Sequence, residues 1–240
     1  MLRPNQVKAS IHAGKKVYGF TLPFSCAPIV EMMGHLGFDF VMVDAEHGPF
    51  TPESAEDMFR AADASGLTPL VRVPNKEEST ILRFLDRGAA GIQAPHVNTR
   101  AEAEQVVQAV KYFPLGKRGL GSHRAGTFDT ALSRAQYVER ANSETMIIVQ
   151  LEEVEALNNL DSILKVDQID AFAFGANDLS QSMGFPGDAS NPKVVEAIRK
   201  ASDKIRAAGR LVSPEMLVHV GVPNLLAGAA REFLAKAKGK

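Results

Sequence analysis

A chain of 240 residues with 45% hydrophobic side chains holds enough apolar material for one large continuous core, and needs no second domain. Lysine plus arginine (27) nearly cancel aspartate plus glutamate (28), so no overall field points to nucleic acid or to an anionic membrane as partner. The single cysteine, Cys26, excludes an intrachain disulfide. With no signal-peptide pattern in the opening Met-Leu-Arg-Pro-Asn and no apolar run of bilayer length, the expected setting is a reducing cytoplasm.

In chain order, short apolar runs alternate with amphipathic stretches. Residues 17–22 read as a first strand and 27–36 as a helix. Residues 38–44 form a buried-type second strand, followed by a helix over 51–64 with Thr51 as N-cap and Pro52 at its first position. A third strand over 69–73 leads to a helix over 76–87 that stops at Gly88, suited to a left-handed cap. Residues 91–94 and 100–112 repeat the pattern, and a glycine-rich loop over 116–122 precedes a helix near 131–141. Residues 146–151 are the clearest strand, uncharged and rich in β-branched side chains. A helix over 153–164, a strand over 171–174 and a long helix over 192–208 follow. Residues 210–213 and 217–220 supply strands seven and eight, and a last helix covers 223–237.

Near-continuous apolar strands alternating with helices indicate a parallel sheet covered by helices. Eight candidate strands favour a (β/α)₈ TIM barrel, with a shortened region at strand and helix seven, over an open doubly wound sheet. No glycine-rich dinucleotide fingerprint follows the first strand. One domain is expected over residues 1–240.

Polar residues gather at the carboxyl ends of these strands. Asp44, Glu46 and His47 follow strand two, and Arg72 ends strand three. Gln150 and Glu152 close strand five, and Asn177 and Asp178 follow strand six. In a barrel these ends open onto one face, where barrel active sites lie. Glu152 and Asp178, from separate strands, could hold a hard divalent cation; each could equally cap the helix that follows it. The absence of zinc-type cysteine and histidine spacing favours magnesium, manganese or cobalt. His47 fits a general base, because imidazole titrates near neutrality, or a structural residue. Arg72 fits the stabilisation of an enolate or carboxylate, or an ion pair with Asp44 or Glu46. Asp86, late in its helix, is a partner for His47 or a solvated charge.

Six stretches in order resemble the 4-hydroxy-2-oxoheptanedioate aldolases, the HpcH/HpaI class II pyruvate aldolases: 37–49 (GFDFVMVDAEHGP), 69–74 (PLVRVP), 85–88 (LDRG), 113–119 (FPLGKRG), 149–152 (VQLE) and 174–180 (FGANDLS). The resemblance implies a metal-dependent aldolase that reversibly cleaves a 4-hydroxy-2-oxo acid to pyruvate and an aldehyde through a metal-stabilised enolate. It implies Glu152 and Asp178 as ligands of Mg²⁺, Mn²⁺ or Co²⁺, and Gln150 and the backbone at Asn177 as substrate contacts. His47 would be the base with Asp86 as its partner, and Arg72 the residue facing the enolate. Asp44 and Glu46 would shape the pocket behind them. It also implies a homo-oligomer, commonly hexameric, with the last helix exchanged between neighbours.

No lysine falls in the motifs that carry these groups, so a Schiff-base route is disfavoured. Oxaloacetate decarboxylation by the same site, and a non-catalytic binding or assembly barrel, are the competing readings. Three departures from the family pattern stand out. Ala176 replaces a usual proline, and loop 122–128 differs in the region of the aldehyde pocket, where His123 and Arg124 could meet an acidic acceptor. The segment 210–217 is short for a strand and its helix.

Overall fold

The computed structural model describes residues 4–239; the first three residues of the opening stretch read above for a leader pattern lie outside that range. The elements run α1 (Gln6–His12), β1 (Val17–Leu22), α2 (Ala27–His35), β2 (Phe40–Asp44), α3 (Pro52–Ser65), β3 (Thr68–Arg72), α4 (Glu78–Arg87), β4 (Gly91–Ala94), α5 (Arg100–Val110), α6 (Arg134–Glu144) and β5 (Met146–Leu151). They continue with α7 (Val154–Asn158), α8 (Leu160–Ile163), β6 (Ala171–Phe174), α9 (Ala176–Ser182), α10 (Pro192–Ala207), α11 (Ser213–Met216), β7 (Leu217–Gly221) and α12 (Val222–Ala237). No helix among the described residues is long and apolar enough to cross a membrane.

The sheet is entirely parallel, in the order β6-β5-β4-β3-β2-β1-β7. The period-two alternation of a strand sorts its side chains into two cores. Val41, Val43, Val71, Ile92, Ile147, Val149 and Phe172 point outward into a large core beneath the helices. Phe40, Met42, Leu70, Met146, Ile148, Ala171 and Leu217 point inward and fill the hollow of the curl, joined by Val7 and Ile11 of α1 at the amino end. Gly19 belongs to this interior: a Cβ there would lie 2.5 Å from the Phe40 ring, which occupies its space. Carried one step further, the inward set ends in polar residues at the carboxyl ends.

The helix signals act as their chemistry requires. Thr51 accepts from the Ser54 N–H in a reciprocal capping box with Pro52 at the first helical position, and Gly66 ends α3 in the left-handed region at φ 82°. Gly88 ends α4 in the same way.

The expected eight-strand barrel is corrected. Strand seven, read over 210–213, is reduced to one bridge between Val212 and Phe172 of β6. The strand read as the eighth is β7, paired with β1. Between them the chain turns through the four-residue α11, which packs on both β6 and β7. Only four residues separate Val212 from Leu217, too few for a strand, a covering helix and the return to the amino end. The fold is therefore a curled, TIM-barrel-like seven-stranded sheet whose seam is plugged by α11. The single helix read over 153–164 is two short helices, and 176–182, read as part of a strand-end loop, is helical.

Candidate active site

Adjacent strand ends bring the polar residues together through register. Asp44 lies opposite Arg72, and Arg72 opposite Gln93. The Arg72 guanidinium grips Asp44 with two bonds, Nε to Oδ1 at 3.0 Å and Nη2 to Oδ2 at 2.6 Å, and its Nε also lies 3.2 Å from Glu46 Oε2. Burial alone would raise the Asp44 pKa; the hydrogen bonds and charge of Arg72 outweigh it and hold the carboxyl below its ordinary value. Burial, with a further push from Glu152, raises Glu46 above its ordinary value, against the pull of Arg72. Asp44 also accepts from the backbone N–H groups of Glu46 and His47, both at 3.2 Å, and so sets the turn that leaves His47 exposed at the rim.

Beneath this rim lies a cavity of about 220 Å³ whose wall includes Thr21, Arg72, Gln93, Gln150 and His219. Gln150 is buried; its oxygen accepts from Gln93 Nε2, and its own Nε2 donates to Glu152 Oε2. Glu152 is wholly buried, and its Oε1 accepts the His96 N–H at 2.7 Å. Glycine at 175 makes room for that carboxylate, since a Cβ would lie 2.1 Å from Glu152 Oε2. Gly175, the N-cap of α9, therefore stands against Glu152, and Asp178 is the third residue of that helix. Neither α7 nor α9 has a side-chain cap, so the capping role open to Glu152 and Asp178 is not the one they take. Asn177 precedes Asp178 and is exposed.

Asp86 makes a different set of contacts from the one expected. Its carboxylate takes Arg118 Nη2 at 2.7 Å and lies 3.4 Å from His123 Nε2; no contact with His47 occurs among the described residues. Burial holds His123 below the ordinary histidine value. Arg124 bonds to the Arg87 carbonyl at 2.9 Å and pairs with Asp63, so neither loop residue lines the cavity under Arg72.

Three residues here escaped the reading of the sequence. His96 follows β4, a strand end that carries no charged motif, and sits at φ 54°, a left-handed conformation uncommon outside glycine. Gln93 faces inward by alternation. His219 lines the cavity two residues after Leu217, with Nδ1 3.3 Å from Thr21 Oγ1; desolvation, then the charge of Arg72, keeps it below the ordinary histidine value. The alternation was legible, but its meaning depended on knowing that β7 closes against β1.

The donor set fits a cation. Glu46, His96 and Glu152 each offer a ligand atom within 4.8 Å of the others, and Glu46 Oε2 is buried without a hydrogen-bond partner. Two acids this close raise each other's energy unless a positive charge lies between them. No lysine lines the cavity.

The HpcH/HpaI aldolase/citrate lyase family model matches residues 18–233. The chain belongs to that family. Membership makes it a carbon–carbon lyase. It is 38% identical over 208 residues to a hydroxypyruvate/pyruvate aldolase of Agrobacterium fabrum, covering 86% of this chain and 77% of the relative. It is 35% identical to a 4-hydroxy-2-oxovalerate aldolase of Rhodococcus jostii, covering 86% and 79%. The crystal structure of an HpcH/HpaI aldolase from Desulfitobacterium hafniense superposes with a TM-score of 0.88 at 30% identity, covering 96% of both chains.

Proposed function

We propose that this family member catalyses the reversible cleavage of a 4-hydroxy-2-oxo acid to pyruvate and an aldehyde. The observation that carries the reading is the Arg72 guanidinium, locked by Asp44, at the mouth of a cavity that also holds Gln150. Burial opposes its charge, but the Asp44 carboxylate more than compensates and raises its pKa, so Arg72 stays cationic throughout turnover.

In the cleavage direction the C3–C4 bond breaks and its electron pair passes toward the C2 oxygen. Arg72 faces that oxygen and the neighbouring carboxylate, where the negative charge grows. The exposed His47 imidazole takes the proton of the C4 hydroxyl as the aldehyde forms, and one proton returned to C3 of the enolate completes pyruvate. Gln150, anchored between Gln93 and Glu152, donates to the 2-oxo acid and fixes its rotation. A divalent cation (Mg²⁺, Mn²⁺ or Co²⁺) held by Glu152 and Asp178 would supply the electron-withdrawing pull on the 2-oxo group.

The test is product formation from pyruvate with glycolaldehyde or succinic semialdehyde and manganese, with and without chelator. Carbon–carbon product that disappears on chelation is expected. No product with any acceptor, together with no metal-dependent rise in melting temperature, would replace the aldolase with a binding barrel.

The same reading includes self-association. Helix α12 buries only Val222 and exposes Leu225, Leu226, Phe233 and Leu234, an apolar face suited to a neighbouring copy. A hexamer in analytical ultracentrifugation, broken by Phe233→Glu, is expected; a monomer at all concentrations would refute it.

A further inference from the structure

We propose that His96 supplies a nitrogen ligand, through Nε2, to the divalent cation at Glu152, with Glu46 as a further oxygen donor and Glu153 orienting the imidazole. The proposal rests on the reading of Glu152 as a metal ligand and adds to it a donor from a fourth strand end. Ligand atoms bound at about 2.0–2.3 Å to one ion lie at most about 4.6 Å apart, and the Glu46, His96 and Glu152 donors already lie within 4.8 Å of one another.

The ring is held as a ligand would be. Its Nδ1 lies 3.0 Å from Glu153 Oε1 and 3.4 Å from Glu152 Oε1, while Nε2 turns toward Glu46 Oε1 at 3.5 Å. A metal-binding histidine commonly donates its other N–H to a carboxylate, which fixes the tautomer and leaves the second nitrogen free to coordinate. The backbone is set for the same purpose. His96 sits in the left-handed region, and the bond from its N–H to Glu152 Oε1 holds it there. Such strained non-glycine positions cluster at functional sites.

Two further observations favour a cation over a purely structural cluster. Glu46 is about nine-tenths buried at its side chain, and its Oε2 makes no hydrogen bond although Arg72 Nε lies 3.2 Å away. Asp44, Glu46 and Glu152 also surround a single guanidinium, Arg72, whose Nε and Nη2 both donate to Asp44. A divalent ion offsets the remaining negative charge.

A nitrogen in place of an oxygen shifts preference along the divalent series, toward cobalt and nickel and away from magnesium. Calorimetric titration of the wild-type protein with Co²⁺ and with Mg²⁺ reads this directly. His96→Ala and His96→Gln are expected to lose about 10–100-fold in Co²⁺ affinity while Mg²⁺ affinity changes less than about 3-fold. The ring is 46% exposed, so its removal opens no core cavity. Electron-spin-echo spectra of the Mn²⁺-loaded protein are expected to show ¹⁴N coupling that survives in His47→Ala and vanishes in His96→Ala. Bound Mn²⁺ without nitrogen coupling, or unchanged Co²⁺-to-Mg²⁺ selectivity in both His96 variants, overturns the His96 assignment and leaves the Glu152 reading standing. Failure of the folded wild-type protein to bind any divalent ion overturns both.

Discussion

The two ends of the sheet bury comparable amounts of charge and use it oppositely. At the amino end, Asp170 Oδ2 accepts the Ile147 N–H at 2.8 Å, and Oδ1 pairs with His12 and Lys8. Lys111 donates to the carbonyls of Asn142 at 2.7 Å and Thr145 at 2.8 Å, and Asn5 ties α1 to the carbonyls of Ala90 and Glu144. These groups largely satisfy backbone atoms, and the result is a closed floor. At the carboxyl end Arg72 and the carboxylates of Asp44 and Glu46 pair with one another beside a cavity, and Glu46 Oε2 makes no hydrogen bond. Buried charge consumed by backbone stabilises, whereas buried charge with spare capacity is available to a ligand.

Substitutions at the two ends should separate these roles. The largest expected effect is at Arg72. Arg72→Ala should lower kcat by about 10²–10³-fold while calorimetry still shows metal binding, because the lost interaction grows toward the transition state. Loss of metal affinity in step with kcat would place Arg72 at the cation instead. Asp178→Ala should lower metal affinity and activity together; equal metal binding by the variant and the wild type would remove Asp178 from the ligand set.

At the floor the expectations reverse. Lys111→Met removes two hydrogen bonds, to the Asn142 and Thr145 carbonyls, and should destabilise by about 1–3 kcal/mol in urea unfolding, with kcat within about 2-fold of wild type. Lys111 also carries a pH signature. Burial, reinforced by the nearby Lys8 charge, lowers its pKa from 10.5 to about 7. Between pH 7 and 10.5 the unfolded chain holds a proton that the native one releases, so this residue's contribution rises with pH across that window and is lost as pH falls toward 7. Wild type should therefore gain melting temperature relative to Lys111→Met as pH increases from 7 to 10; parallel pH profiles would refute the buried neutral amine. The smallest effect belongs to the capping box, where Thr51→Ala should cost about 1 kcal/mol with no change in turnover.

Lys111 also shows how chemistry and location must be judged together. A lysine with a pKa near neutrality suits Schiff-base formation. It lies against the Thr145 carbonyl, just before β5 begins, at the opposite end of the strand from Gln150 and Glu152. The amine that is chemically poised is thus at the wrong end of the sheet.

Much of the fold was legible because local physics writes it locally. Strands 17–22, 91–94, 146–151 and 171–174 are found where the uncharged runs predicted them. The helix over 153–164 split because Asn159 leaves the helical region at φ −91°, ψ 3°. Helix α9 carries one large apolar residue, Leu179, so no helical periodicity marks it in the sequence.

The sequence by itself determined which side chains stand at strand ends, since alternation and turn chemistry need only near neighbours. It therefore placed Asp44, Arg72, Gln150 and Glu152 on one face. Tertiary structure decided which of these ends meet. Register set Arg72 against Asp44, the lone Val212 bridge left the barrel unclosed by an eighth strand, and the curl carried His96 from β4 to Glu152 of β5 and Glu46 of β2. Those meetings join residues 28 or more positions apart, and no local preference along the chain encodes them.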